Sequence, residues 1–166
     1  MKYVSSDTNI WLDFDVISRT DLPFRLPYTY IMYREALRKE IVSPPKLLDE
    51  LKRLGLEGVE LTIEELMYAD GLADIYKKLS GYDRIALAIA KHRNIPLVTG
   101  DNALRKAAIK EDVQVIGTIG ILDKLYEGGY INSIEYRYCL EGLLRHKERR
   151  LPKEELEKRL KNLLNK

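Results

Sequence analysis

Two aspartates stand directly after short apolar runs, where strands of a parallel sheet commonly end. Asp7 follows residues 3–6 and Asp101 follows residues 95–100. Both runs have the composition of buried strands, and a helical pattern follows each of them. Ligands bind in the crevice beyond the carboxyl ends of parallel strands, so the two side chains can meet at one edge. Because neighbouring carboxylates repel unless a cation neutralises them, this arrangement predicts a divalent-metal site.

Two further acids lie where a helix begins. Asp83 precedes a helix that is apolar on nearly all sides, so its carboxylate belongs at the exposed N-terminal end. Glu50 lies one turn into a helix whose buried stripe includes Leu47 and Leu51. An ordinary alternative exists for each acid. An aspartate at such a position can be a helix N-cap, and Glu50 can be a solvated surface charge.

Other catalytic chemistry is poorly represented in the chain. Two histidines and the single cysteine, Cys139, do not make up the usual zinc ligand sets. No glycine-rich phosphate loop and no nucleophile elbow is present. Asp13 and Asp15 resemble the paired aspartates of haloacid-dehalogenase-type phosphatases. They fall within a helical pattern rather than after a strand, so a phosphatase is a weaker hypothesis.

The composition indicates one globular domain with an uneven charge distribution. The 166 residues are 45% apolar and 33% charged, and no apolar run is long enough for a membrane span. A lone cysteine and the absence of a signal-peptide pattern favour the cytoplasm. Residues 145–166 carry nine Lys and Arg against four Glu, whereas the rest of the chain is acidic. Such a basic tail can lie near a phosphate backbone, or it can be a solvated amphipathic helix.

Short apolar runs alternate with helical patterns, which predicts a three-layer α/β/α fold with a mostly parallel Rossmann-like sheet. We expect residues 1–128 to form this domain and residues 129–166 to form a helical extension packed on it. The predicted strands are residues 2–6, 40–43, 59–61, 95–99 and 113–116. The predicted helices are residues 9–17, 30–39, 44–54, 62–79, 84–92, 103–110, 117–125, 133–145 and 152–164. Residues 18–28 contain Pro23 and Pro27 and are predicted to be a loop.

Four blocks of the chain, in this order and spacing, resemble the PIN-domain ribonucleases, most closely the VapC-type toxin branch. The blocks are residues 6–9, 43–51, 79–88 and 97–101. The resemblance implies an endoribonuclease that uses Mg²⁺ or Mn²⁺ to hydrolyse RNA phosphodiester bonds. It implies an acidic quartet for catalysis and metal binding, with Asn9 and Thr99 as supporting polar residues. The quartet is Asp7, Glu50, Asp83 and Asp101.

The resemblance also implies contacts with RNA and with protein partners. Arg84, Arg105 and Lys106 lie close in sequence to the acids and are candidates for phosphate contacts. Tyr28, Tyr30 and Tyr33 could stack on bases or form a partner face, and the two alternatives stay open. The expected partners are RNA, an antitoxin protein and a second copy of the chain. The alternative function is a non-catalytic PIN-like protein that binds RNA or acts as a scaffold.

Overall fold

The first two strands and their helices differ in part from the sequence prediction. The computed structural model describes residues 2–165. Strand β1 is Lys2–Ser6 and helix α1 is Thr8–Val16, followed by a short 3-10 helix at Leu22–Arg25. Strand β2 is Tyr28–Tyr33 and helix α2 is Arg34–Glu40.

The prediction of a helix over residues 30–39 and of a strand over residues 40–43 was wrong. Residues 28–33 are rich in aromatic and β-branched side chains, and three successive residues, 30–32, are buried in the sheet. Side chains of this kind fit a pleated, buried surface better than a helix. The helical pattern therefore describes only the second half of this segment.

The remaining elements follow the predicted order with shifted bounds. They are α3 (Leu47–Leu54), β3 (Glu57–Val59), α4 (Ile63–Gly71), α5 (Gly81–Arg93), β4 (Leu97–Val98), α6 (Asn102–Lys110), β5 (Val115–Ile116), α7 (Thr118–Glu127), α8 (Ser133–Arg145) and α9 (Lys153–Leu164). Helix α4 ends at Gly71 rather than near residue 79, in line with the low helix propensity of glycine. No helix within residues 2–165 is long and apolar enough to cross a bilayer.

The five strands form one parallel sheet in the order β3-β2-β1-β4-β5. The chain builds outward from β1 to β3 and then returns to the other side of β1 with β4. The strand order therefore reverses between β1 and β4, and the crevice at their carboxyl ends is where such folds bind ligands. Asp7 follows β1 and Asp101 lies three residues after β4. The topology brings both to this crevice.

Helices cover both faces of the sheet, which gives the predicted three-layer α/β/α fold. Leu97 and Val98 are successive residues of β4 and pack into different apolar clusters, as the alternation along a strand requires. The smaller cluster includes Leu87 of α5 and Leu104 of α6. The larger cluster includes Trp11 of α1 and the side chains that α8 and α9 contribute. Those side chains are Tyr136, Cys139, Leu140, Leu143 and Leu156.

Candidate metal and nucleic-acid site

Asp7 lies in the crevice, and four hydrogen bonds hold its backbone N–H and its carboxylate. Its backbone N–H donates to the carbonyl of Val98 in β4 (3.0 Å). Its Oδ1 accepts from the N–H of Thr8 (2.8 Å), as in an N-cap. Its Oδ2 accepts from the Thr99 hydroxyl (3.0 Å) and from the Asn9 side-chain amide (3.2 Å). The side chain is therefore fixed in position, with only 3% of the residue exposed.

The ionised form of the Asp7 side chain is disfavoured by its surroundings. Burial raises its pKa to about 7, and the charges of Asp83 and Glu40 add to the shift. The hydrogen bonds from Asn9 and Thr99 oppose it. A carboxylate with donors on both oxygens and a raised pKa lies among like charges in a low dielectric. Such a site favours the arrival of a cation.

Asp83 takes part in the cap of helix α5 and also lies among the acids of the crevice. Its Oδ2 accepts from the N–H of Ser80 (2.9 Å), and the Ser80 hydroxyl accepts from the N–H of Asp83 (3.1 Å). This capping box starts α5 and leaves Oδ1 of Asp83 without a hydrogen bond in residues 2–165. Burial raises the pKa of Asp83, and the negative charge of Asp101 raises it further. The positive charge of Arg84 lowers the pKa of Asp83 and so opposes this shift.

Thr99 links the acid after β1 to the acid after β4. Its hydroxyl donates to Asp7 Oδ2 and accepts from the backbone N–H of Asp101 (3.0 Å). Asp101 caps α6 by accepting from the N–H of Leu104 (3.1 Å) through Oδ2. Thr99 is 1% exposed, so this bridge is fixed in the interior, whereas Asp101 is only half-buried. Asp7, Asp83, Asp101 and the two supporting residues are thus brought to one region.

The fourth acid in this region is Glu40, which the sequence analysis did not select. Its Oε1 accepts from the Thr8 hydroxyl (2.7 Å), next to Asp7. Burial raises the pKa of Glu40, the hydrogen bond from Thr8 opposes the shift, and the charge of Asp83 adds to it. The sequence pattern predicted a strand at residues 40–43, and that error hid the position of Glu40 at the C-terminal end of α2.

The structure does not bring Glu50 to the aspartates. Its Oε1 accepts from the Thr20 hydroxyl (3.0 Å), and its charge acts on Asp15, whose pKa is raised by burial and then by Glu50. Asp15 lies eight residues beyond Asp7, which along α1 is about 12 Å. Glu50 therefore lies beside the far end of α1. Because β2 is formed by residues 28–33, it is α2 rather than α3 that directly follows this strand.

A second buried network joins α1 to the C-terminal extension. Asp13 is 1% exposed, and its carboxylate accepts from the Thr118 hydroxyl (2.5 Å) and from Arg149 Nε (2.6 Å). Arg149 Nη2 also donates to the backbone and side-chain oxygens of Asn9 (3.3 and 3.2 Å). Asn9 in turn donates to Asp7. No sequence motif marks Arg149 among the many cations of the tail.

This network also bears on the phosphatase hypothesis. Asp13 lies inside α1 and both of its oxygens hold hydrogen bonds, so it does not present a free nucleophile at the end of a strand. Asp15, its presumed partner, faces Glu50 instead. The geometry therefore offers no paired-aspartate centre at this position.

The three predicted phosphate contacts have different surroundings. Arg84 Nη1 donates to the carbonyl of Ala69 (3.2 Å), and its Nε is buried without a hydrogen bond within the described chain. Arg105 lines an open groove of about 760 Å³ that begins at Thr99 and Asp101. Lys106 is exposed on the same helix but does not line the groove.

The tyrosines of β2 are not an open stacking surface. Tyr30 is fully buried, and its hydroxyl donates to the carbonyl of Pro23 (2.7 Å). Its ring packs edge-to-face against Trp11 and Phe24. Tyr28 and Tyr33 are half-buried. Base stacking by this segment is therefore limited to its two outer rings.

The donor chemistry of the four acids fits a hard divalent cation. All available ligands are carboxylate or hydroxyl oxygens, and no Lys or Arg of residues 2–165 forms an ion pair with Asp7, Glu40, Asp83 or Asp101. Within the same range, no three Asp, Glu, His or Cys side chains are close enough to form a complete metal cage. Mg²⁺ needs no such cage, because it is usually bound through one or two carboxylates, waters and substrate phosphates.

The family of the chain follows from comparison with known proteins. A family model described as a PIN domain matches residues 4–165. Because the match covers nearly the whole chain, this protein belongs to the PIN-domain family. PIN domains are generally nucleases, which hydrolyse phosphodiester bonds. No curated protein and no solved structure matches the chain.

Proposed function

We propose that this protein is an endoribonuclease that depends on Mg²⁺ or Mn²⁺ and cleaves RNA at the crevice between β1 and β4. The observation that carries the proposal is the gathering of Asp7, Glu40, Asp83 and Asp101 without a basic ion-pair partner. Buried like charges are costly unless something compensates them. The PIN family of the chain supports the same conclusion.

Each acid has a distinct part in this proposal. Asp7, fixed by Asn9 and Thr99, and Asp101, at the edge of the groove, would hold the cation directly or through water. Asp83 and Glu40 would complete the negative charge and orient the attacking water. A bound divalent cation supplies polarisation of the phosphoryl oxygen and a lowered pKa of water. Asp101 is half-buried and lines the groove, so an entering phosphate can reach it.

The proposal is tested by Asp7→Asn and Asp101→Asn, assayed on single-stranded RNA oligonucleotides with Mn²⁺. We expect either substitution to abolish cleavage, because each removes a charge that the cation requires. Asp49→Asn is the matched control, since Asp49 is exposed on α3 and makes no ion pair with the described residues 2–165. Circular dichroism shows whether the variants are folded. Full cleavage by both folded variants would refute the proposed mechanism.

The identity of the fourth acid is tested by comparing Glu40→Gln with Glu50→Gln. The contacts of Glu40 with Thr8 and Asp83 lead us to expect a large loss of cleavage only in Glu40→Gln. The resemblance to VapC-type toxins predicts the reverse. If Glu40→Gln cleaves RNA as fast as the unsubstituted protein and Glu50→Gln does not, the fourth catalytic acid is Glu50.

A non-catalytic PIN-like protein is the second candidate. It is favoured by one observation, the lack of a three-ligand metal cage within residues 2–165. Calorimetry with Mn²⁺ separates the two candidates. Heat of binding that disappears in Asp101→Asn supports the nuclease, whereas RNA binding without Mn²⁺ uptake supports the non-catalytic protein.

A toxin role is a further part of the proposal that rests on the VapC-type resemblance alone. It predicts that expression of the intact chain arrests growth and that Asp101→Asn relieves the arrest. An antitoxin or a second copy of the chain would then be the protein partner. Size-exclusion chromatography with light scattering measures directly whether two copies of the chain form a dimer.

A further inference from the structure

The groove that begins at the acidic crevice has one wall made by the C-terminal extension. Its volume is about 760 Å³. One side is formed by residues 99–102 and Arg105, and the floor by residues 114–120. The other side is formed by Arg150, Leu151 and Pro152 with the start of α9. The groove is therefore continuous with Asp101 and bounded by chain segments that are far apart in sequence.

Three cations of the groove are free to bind an anion. Arg105, Lys124 and Arg150 are all exposed, and none of them forms an ion pair within residues 2–165. The other charged side chains of the groove beyond Asp101 are one arginine and two acids, which form ion pairs with one another and leave one negative charge. Arg159 binds Asp123 through two hydrogen bonds of 2.8 Å and Glu155 through one of 2.7 Å. The groove beyond Asp101 thus carries a net positive charge.

Arg150 is held at the groove by its neighbour in the chain. Arg149 turns inward to the buried Asp13, whereas Arg150 has a left-handed backbone conformation (φ 58°) and lines the groove. The Asp13–Arg149 ion pair therefore anchors the segment that carries Arg150. A cation on a fixed backbone loses less conformational freedom on binding than one on a mobile tail.

We propose that this groove binds the sugar–phosphate backbone of single-stranded RNA next to the scissile bond, with Arg105, Lys124 and Arg150 each contacting a phosphate. This inference rests on the proposed function, in which cleavage takes place at Asp7 and Asp101. The groove has the size of a small-ligand site, whereas duplex RNA is recognised across far longer surfaces. A strand that lies in it passes from the basic part of the groove to the acids.

The test measures binding of a fluorescein-labelled single-stranded oligoribonucleotide by anisotropy in EDTA, at several salt concentrations. A groove variant removes the three free cations: Arg105→Ala, Lys124→Ala and Arg150→Ala. A matched control removes three exposed cations outside the groove: Lys52→Ala, Lys110→Ala and Lys161→Ala. Both variants lose the same total charge. Circular dichroism confirms that both are folded.

We expect the groove variant to reduce the slope of log K against log salt by about 2, since each phosphate contact on a single strand contributes about 0.7. If affinities converge at 1 M salt, this is roughly a 100-fold weaker affinity at 0.1 M salt. The control should stay close to the parent. A duplex RNA competitor should compete far less well than a single strand.

Three results would overturn the groove proposal. They are equal loss in both variants, no loss in the groove variant, and equal competition by the duplex. Cleavage of the same oligonucleotide with Mn²⁺ separates this proposal from the proposed function. If the parent cleaves the oligonucleotide and the groove variant binds and cleaves it equally well, the groove proposal is refuted and the nuclease proposal is supported. If the parent binds through the groove without cleaving, the groove stands and the nuclease fails.

Discussion

Arg149→Ala is the substitution that tests the link between the C-terminal extension and the acidic crevice. The guanidinium contacts Asp13 at 2.6 Å, and the exposed fractions of the two side chains are 17% and 1%. The substitution leaves the Asp13 carboxylate buried with only the Thr118 hydroxyl as a donor. It also removes the hydrogen bond from Arg149 to the side chain of Asn9, whose amide donates to Asp7.

The expected cost follows from the burial of the pair. Removing one partner of a buried ion pair costs about 3–5 kcal/mol, because the other charge is left without compensation. Water reaches Arg149 in part, so we expect the lower end of this range, about 3 kcal/mol. For a chain of this size, the melting temperature would fall by about 6–12 °C.

The cost should also depend on pH. Burial raises the pKa of Asp13, while Thr118 and Arg149 oppose the shift. Without Arg149 the folded-state pKa of Asp13 rises further above the unfolded value. A group with a raised folded pKa contributes stability at low pH that is lost as the pH increases. The defect of Arg149→Ala should therefore be small near pH 4 and largest above neutrality.

Thermal and urea unfolding, followed by circular dichroism, measure the effect. Arg150→Ala is the matched control and should change stability by less than about 0.5 kcal/mol, because Arg150 is exposed and forms no ion pair in the part of the chain that the structure describes. Adding Asp13→Asn to Arg149→Ala removes the uncompensated charge and should restore about 2 kcal/mol. A double variant no more stable than Arg149→Ala would refute the reasoning.

Three further outcomes follow from single residues. In EDTA, Asp7 should destabilise the fold increasingly as the pH rises from about 4 to 7, because its folded pKa is raised to about 7; Asp7→Asn should flatten that part of the stability–pH profile. Gly100→Ala should lower stability by about 2 kcal/mol or more and impair cleavage, since an added Cβ would collide with the Asp13 carboxylate. Tyr30→Phe should cost about 1–3 kcal/mol in urea unfolding, because the buried carbonyl of Pro23 loses its donor. Unchanged unfolding midpoints in the last two variants would contradict these assignments.

Much of the fold was predictable because its signals are local. Apolar runs ending in Asp7 and Asp101 marked β1 and β4, and the apolar run after Asp83 marked α5. The three-layer architecture and the PIN family are confirmed by the parallel sheet and the family match. The second strand was missed because residues 28–33 lie next to a helical pattern with the same apolar content.

The details of the site were less predictable because they depend on contacts between distant residues. Glu40 joins the crevice only through the packing of α2, which the wrong second strand concealed. Arg149 pairs with Asp13 across 136 positions, and nothing in its local sequence distinguishes it from Arg150. Local patterns can identify which residues are able to do chemistry. They do not show which of several similar charges the fold selects.

The sequence distance between Asp13 and Arg149 has a consequence for biosynthesis. In a nascent chain that ends before Arg149, the carboxylate of Asp13 lacks its arginine partner, and Asn9 lacks the guanidinium that donates to it. A nascent chain of that length already contains Asp7, Glu40, Asp83 and Asp101, yet it cannot lock their surroundings. The order of synthesis thus delays a fully assembled crevice until Arg149 has been translated.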